Sequence, residues 1–201
     1  MGISTELPAP IGSSELVRDA YELLICTHAD KRQKVNGHPY AEHPVLVATD
    51  VAGAGFAPEV IAAALLHDIV EDSEVTVEDV RNRFGERVAG LVEAMTDIAE
   101  VEDYERRKEI HRRQVVAAGP EAEAIFAADK LNNVRALRAA YEAEGEKVAK
   151  RFKQPLATKL RVWVADSAMV SQHAPGLPYA QALEDEIARL RADRLRSGGG
   201  G

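Results

Sequence analysis

The segment Ala62–Asp72, AAALLHDIVED, runs an apolar stretch directly into His67-Asp68 and then Glu71-Asp72. Alanine and leucine favour the helix and no glycine or inner proline interrupts, so the spacing predicts one helix over 58–72 with Pro58 in its first turn. A charged pair inside such a helix needs a partner, because burying an unpaired carboxylate is costly. Metal coordination would supply one. An amphipathic helix whose end simply meets water is the other reading of this segment taken alone. Glu71 follows His67 by four positions, and Asp72 follows Asp68 by four, which places all four polar groups near one side of the helix end.

On both sides of this segment the apolar residues recur at helical spacing, and no alternating strand pattern is found. Ser13-Ser14 caps a helix running to about Ala29, and a polar loop over 31–40 follows, with Asn36-Gly37 and Pro39 as turn residues. A helix is expected over 44–54. Another opens at Thr76 with Glu78-Asp79 in its first turn and closes at Phe84-Gly85, and the next covers 86–99. The charged run 99–113 reads as a solvated helix or a loop. Gly119-Pro120 breaks the chain before a helix over 121–143, and two more are expected over 155–172 and 178–196. The reading is an all-α protein: one domain of seven to nine helices over 13–196, a flexible arm over 1–12 and a glycine-rich tail over 197–201.

The 201 residues suffice for one sizeable core, and 46% apolar with 29% charged residues fits a globular chain rather than a disordered one. No apolar run reaches the ~20 residues that cross a bilayer. The first residues lack the basic flank and apolar core of a secretory signal. Cys26 is the one cysteine, expected as a buried thiol, and excludes an internal disulfide; this suits a reducing, cytoplasmic location. The net charge of −8 argues against nucleic acid as a partner. A small polyanion remains compatible if local cations or a metal receive it.

Two further segments bear on the His67-Asp68 pair. His43 stands in Tyr40-Ala41-Glu42-His43-Pro44 at a helix start, and Asp129 follows apolar residues in IFAADKLNNVRAL, residues 125–137. Two imidazoles and two carboxylates suit Mn²⁺, Fe²⁺ or Zn²⁺ better than Ca²⁺. Four protein ligands on an octahedral ion leave room for water and substrate, whose oxygens it polarises. Residue chemistry alone therefore reaches metal-assisted phosphoester hydrolysis. No glycine-rich phosphate loop and no serine or cysteine nucleophile motif is present.

The order H-P, then A-L-L-H-D-x-V-E-D, then A-D-K-L-x-N-x-R resembles the HD-domain alarmone hydrolases, the hydrolase half of the RelA/SpoT enzymes and their stand-alone, MESH1-like relatives. The likeness runs from about Arg18 to Met169 and includes GHPYAEHPVLVA, the Phe84-Gly85 pair and Met95-Thr96-Asp97. It implies His43, His67, Asp68 and Asp129 as ligands of one Mn²⁺. It implies Glu71 and Asp72 as the acidic pair that activates the attacking water, and Asn133 as a nucleotide contact. The implied reaction removes pyrophosphate from the 3′ position of guanosine tetra- or pentaphosphate, giving GDP or GTP. A functional pairing with an alarmone synthetase would go with it.

The base-contacting stretch reads Arg32-Gln33-Lys34-Val35-Asn36, where the family often has arginine. Arg32, Lys34 and Asn36 are therefore candidate substrate contacts, with Lys130 and Arg135 as phosphate contacts. Lysine lacks the planar guanidinium that stacks on a base, and Ala136 replaces a residue that is commonly polar. These departures keep a different nucleotide open, an adenosine alarmone or the 2′-phosphate of NADPH; the non-enzyme alternative, against which the intact Glu71-Asp72 pair argues, is a non-catalytic alarmone-binding module. His28 is expected to be structural or on the surface. His38, His111 and His173 are expected on the surface, and Trp163 in the core.

Overall fold

The computed structural model describes Leu7, Ile11 and residues 14–98 and 100–198, among which there is no strand and one isolated antiparallel bridge, Arg32 to Pro39. The order is α1 (Glu15–His28), α2 (Glu42–Gly53), α3 (Pro58–Leu66), α4 (Ile69–Asp72), α5 (Val77–Phe84) and α6 (Glu86–Met95). Then come α7 (Tyr104–Ala118), α8 (Pro120–Glu144), a 3₁₀ segment (Gly145–Arg151), α9 (Leu156–His173) and α10 (Ala180–Gly198). The all-α reading holds. The expected helix over 58–72 is divided: Asp68 leaves helical geometry at φ −102°, ψ 2°, and the chain resumes as the single turn of α4. Taking α3 and α4 together leaves nine helices among the described residues. The expected arm and tail fall almost wholly outside the described residues; Ile11 of the arm is buried in the core.

Two helices form the axis of the bundle. Every residue of α3 from Val60 to Leu66 is buried, and so is every residue of α8 from Ala122 to Asn132. The wholly apolar stretch of α3 belongs inside, and α3 packs on α1, α2, α6 and α8, while α8 also meets α2, α7, α9 and α10. His67 closes α3 and Asp129 lies midway along α8. The ionisable groups in question are thus carried on the two most buried elements.

Local signals set the boundaries. Thr76 accepts from the Asp79 N–H while Asp79 bonds back to the Thr76 N–H, a reciprocal cap that starts α5. Gly119, at φ 94°, ends α7 in a conformation that side chains disfavour, and Pro120 then starts α8. The charged run becomes α7, capped by Asp103 on the Arg106 N–H at 2.7 Å. Residues 31–40 form a tied turn, with the Gln33 N–H on the His38 carbonyl at 2.9 Å and the Tyr40 N–H on the Lys31 carbonyl at 3.0 Å. Cys26 is exposed, contrary to the buried thiol expected, because it lies on the outer face of α1. No helix among the described residues is long and apolar enough to cross a membrane.

Candidate metal centre and the adjoining cleft

His43 from the start of α2, His67 from the end of α3 and Asp129 from α8 each offer a ligand atom, and these atoms all lie within 4.8 Å of one another. His43 Nε2 is 3.0 Å from Asp129 Oδ1. His67 Nδ1 lies 2.8 Å from the Ala64 carbonyl. That oxygen can only accept, so Nδ1 carries a proton and Nε2 is the nitrogen left with a free lone pair for a cation. His67 Nε2 is buried without a hydrogen bond, 3.1 Å from Asp68 Oδ2 and 3.6 Å from Asp129 Oδ1. Donors ~2.1 Å from a common ion stand about 3–4 Å apart, so the orphaned nitrogen and the converging oxygens fit a divalent cation. Asp68 joins through His67 and stands outside the triad of mutually close atoms.

The surroundings hold these groups in place. Asn133 Nδ2 donates to Asp129 Oδ1 at 2.6 Å, and Lys130 Nζ lies 2.5 Å from Asp129 Oδ2. Burial pushes the Asp129 carboxyl up, but Lys130, His43 and His67 outweigh it and hold the group well below the usual range. Burial pulls the His67 imidazole down, and the carboxylates of Asp68 and Asp129 more than reverse this. Lys130 is likewise raised, its desolvation outweighed by Asp129 and Asp166.

Glu71 and Asp72 were expected side by side on one helix end, and the break at Asp68 gives them different partners. Glu71 Oε1 accepts the Asp97 N–H at 2.6 Å. Asp72 Oδ2 accepts the Tyr40 hydroxyl at 2.6 Å, and its carbonyl accepts from Lys31. The Tyr40 ring is stacked on buried His28, centroids 4.3 Å apart and planes at 10°. Burial raises the Glu71 carboxyl, against the pull of the Asp97 N–H.

A cavity of about 390 Å³ opens beside the triad, lined by Lys31, Arg32, Lys34, Tyr40, Asp72 and Asn133 together with His43 and Asp68. Arg32 and Lys34 therefore both reach the cleft. Asn36 does not: its Oδ1 accepts the His38 N–H at 2.9 Å, which closes the turn. Arg135 does not either. Asp129 and Asn133 stand one turn apart on the site face of α8, and six residues from Asp129 the helix has rotated Arg135 to solvent, 3.9 Å from Asp50. His111, expected on the surface, is 3% exposed, 3.2 Å from Asp97 Oδ1 and edge-on to Phe126. His38 pairs with Glu42 at 2.9 Å in solvent, and Trp163 is in the core. Sequence reasoning gave no role to Tyr40 or Asp97, although both stand in quoted motifs.

Comparison with known proteins fits this geometry: the model of the HD domain matches residues 20–163. The chain belongs to the HD-domain family. Among HD-domain relatives, human "Guanosine-3′,5′-bis(diphosphate) 3′-pyrophosphohydrolase MESH1" is 37% identical over 122 residues, covering 59% of this chain and 68% of that protein. An Aquifex aeolicus protein with the same activity name is 37% identical over 155 residues, 75% of this chain. The chain spans 22% of that protein's length and 19–21% of similar proteins from Synechocystis and Streptomyces coelicolor. Among solved structures, a metazoan ortholog of SpoT, described as hydrolysing ppGpp, superposes with a TM-score of 0.70 at 27% identity, covering 89% of this chain and 96% of that one. The Listeria monocytogenes protein lmo0812 gives 0.66 at 32% identity over 72% of this chain and 96% of its own.

Proposed function

We propose that this chain hydrolyses the 3′-pyrophosphate of guanosine tetra- and pentaphosphate, releasing pyrophosphate and GDP or GTP, with one Mn²⁺ as its working ion. The observation that carries this is the convergence of His43, His67 and Asp129 beside a cleft that His43 itself lines together with Arg32, Lys34, Asp68 and Asp72. The names of its HD-domain relatives supply the nucleotide.

His43, His67 and Asp129, with Asp68 beside His67, would hold a divalent ion, which would supply Lewis acidity to a phosphoryl oxygen and to the attacking water. The protein's own groups do the rest. Tyr40 occupies one oxygen of Asp72, which leaves the other to accept the proton of the water. Asp97 fixes one oxygen of Glu71, leaving its second oxygen to orient that water. Asn133 and Lys130 hold Asp129 through separate oxygens, so a ligand carboxylate is positioned before substrate arrives. Arg32 and Lys34 bind the nucleoside side of the cleft. Water oxygen joins the 3′-phosphorus, the bond to the 3′-oxygen breaks, and that oxygen takes up a proton.

Lys34 at the cleft, which lacks the planar guanidinium that stacks on a base, favours a second reading, in which another nucleotide, an adenosine alarmone or NADPH, is preferred. Specificity is a ratio, so kcat/KM across guanosine tetraphosphate, its adenosine counterpart and NADPH decides between them. A cytoplasmic setting and a partnership with an alarmone synthetase belong to the same proposal. Coexpression with such a synthetase should relieve its toxicity, and Asp72→Asn should abolish the relief. Relief by the variant would favour a binding module over an enzyme.

A further inference from the structure

The turn over 31–40 carries Arg32 and Lys34 to the cleft, and its base and tip are held differently. At the base, the Lys31 N–H bonds to the His28 carbonyl at 3.0 Å, and the side chains of Lys31 and Tyr40 both bond to Asp72. Above it the turn bonds to itself, the Gly37 N–H to the Gln33 carbonyl at 2.9 Å and the Gln33 side chain to the Pro39 carbonyl at 3.1 Å. At the tip, Nη1 of Arg151 donates to the Val35 carbonyl, 116 residues away in sequence. Among the described residues, this is the one hydrogen bond that joins residues 33–37 to another part of the molecule.

Arg151 reaches the turn because of how α8 ends. Gly145 takes a positive φ of 62°, which side chains disfavour, and leads the chain into the 3₁₀ segment. Arg151 closes that segment and sets Nη2 at 2.6 and 2.8 Å from the two carboxylate oxygens of Glu144, the last residue of α8. The segment is a firm support: Val148 is buried, and Glu146 accepts from Tyr141 of α8 and Arg194 of α10, each at 3.1 Å. A planar guanidinium can serve Glu144 and Val35 at once through different nitrogens. Glu144 therefore fixes the guanidinium, and the guanidinium fixes the turn. We propose that Arg151 is a positioning residue for the nucleotide: it pins the tip of the turn and so sets where the neighbouring Lys34 stands in the cleft. Val35 and Phe152, which flank the contact, both line the cleft, so the pin also sets their separation. This rests on the nucleotide-hydrolase reading above. Asp72 keeps its own anchors at the base of the turn, so nucleotide binding rather than chemistry should depend on Arg151.

In steady-state assays with Mn²⁺, Arg151→Met should raise KM for guanosine tetraphosphate about fivefold, the scale of a partly exposed charged contact, with kcat within about twofold. Arg151→Lys should recover part of the loss, since an ammonium can meet one of the two partners. Glu144→Gln should raise KM less, and the double variant should be no weaker than Arg151→Met alone, because Glu144 acts through Arg151. Hydrogen exchange of the free chain, read by mass spectrometry, should quicken across residues 33–38 in Arg151→Met and stay level across α3. An unchanged KM, or a fall in kcat at constant KM, would overturn the proposal. Should wild type leave guanosine tetraphosphate intact, its calorimetric binding takes the place of KM. Weaker binding by Arg151→Met, with quickened exchange in the turn, would then uphold the pin and remove the hydrolase reading alone.

Discussion

The Tyr40 hydroxyl donates to Asp72 Oδ2 at 2.6 Å, joining the 31–40 turn to the end of α4. Burial raises the phenol far above its ordinary range, with Asp68 and Asp72 adding to the effect, so it keeps its proton and donates it in the hydrogen bond to Asp72. Tyr40→Phe removes that donor and leaves the stack on His28. We expect kcat to fall about tenfold, ~1.4 kcal/mol of barrier, with KM within about twofold. Steady-state kinetics separates the two, and a rise in KM alone would make Tyr40 a substrate contact.

Asp72 stands outside the triad of mutually close ligand atoms. Asp72→Asn should therefore abolish turnover while metal stoichiometry, measured after equilibrium dialysis, stays at that of wild type. Loss of metal from the variant would place Asp72 among the ligands.

Asp129 gathers His43, Lys130 and Asn133 around one carboxylate. A cation bound only to the folded state stabilises it by about 2.7 kcal/mol at a hundredfold excess over Kd. Thermal unfolding of wild type should shift upward with Mn²⁺, and Asp129→Asn should show no such shift. An equal shift in both would place the ion elsewhere.

Asp97 is gripped from three sides: by Arg107 at 3.3 Å, Lys108 at 2.6 Å and buried His111 at 3.2 Å. Burial would raise its carboxyl, but His111 and Lys108 outweigh it and hold the group well below its ordinary value. A depressed folded pKa gives stability that is present above the unfolded value of about 3.9 and lost as pH falls through the folded one. Asp97→Asn should lose about 3 kcal/mol at neutral pH, and the gap to wild type should narrow below about pH 4. Urea unfolding at pH 7 and pH 3 measures both; a gap independent of pH would rule out the ionic origin.

The helices were legible because their signals are local: Thr76 with Asp79, Gly119 with Pro120, and the apolar run ahead of His67 each act within one turn. The clustering of His43, His67 and Asp129 was legible because a charged group in an apolar run demands a partner, and these three supply each other's; Asp68, expected with them, stands outside the cluster. What escaped depends on contacts between distant segments. The break at Asp68, the different anchors of Glu71 and Asp72, and the burial of His111 against Phe126 arise only when α3, α7 and α8 pack together. His111 was masked by its charged neighbours, since a helix that looks polar all round can still bury one side through ion pairs such as Arg112 with Asp166. Asn36 and Arg135 show the converse, since nearness in a motif does not give direction in space: the one closes the turn on the His38 N–H and the other lies near Asp50.

The central claim is that the His43–His67–Asp129 site hydrolyses a 3′-pyrophosphate. The most direct measurement is chromatographic analysis of guanosine tetraphosphate incubated with the chain and Mn²⁺. The expected result is GDP and pyrophosphate in equal amounts, with none formed after chelation or by Asp129→Asn. Intact nucleotide at enzyme concentrations near those of substrate, with the metal shown to be bound, would contradict the account.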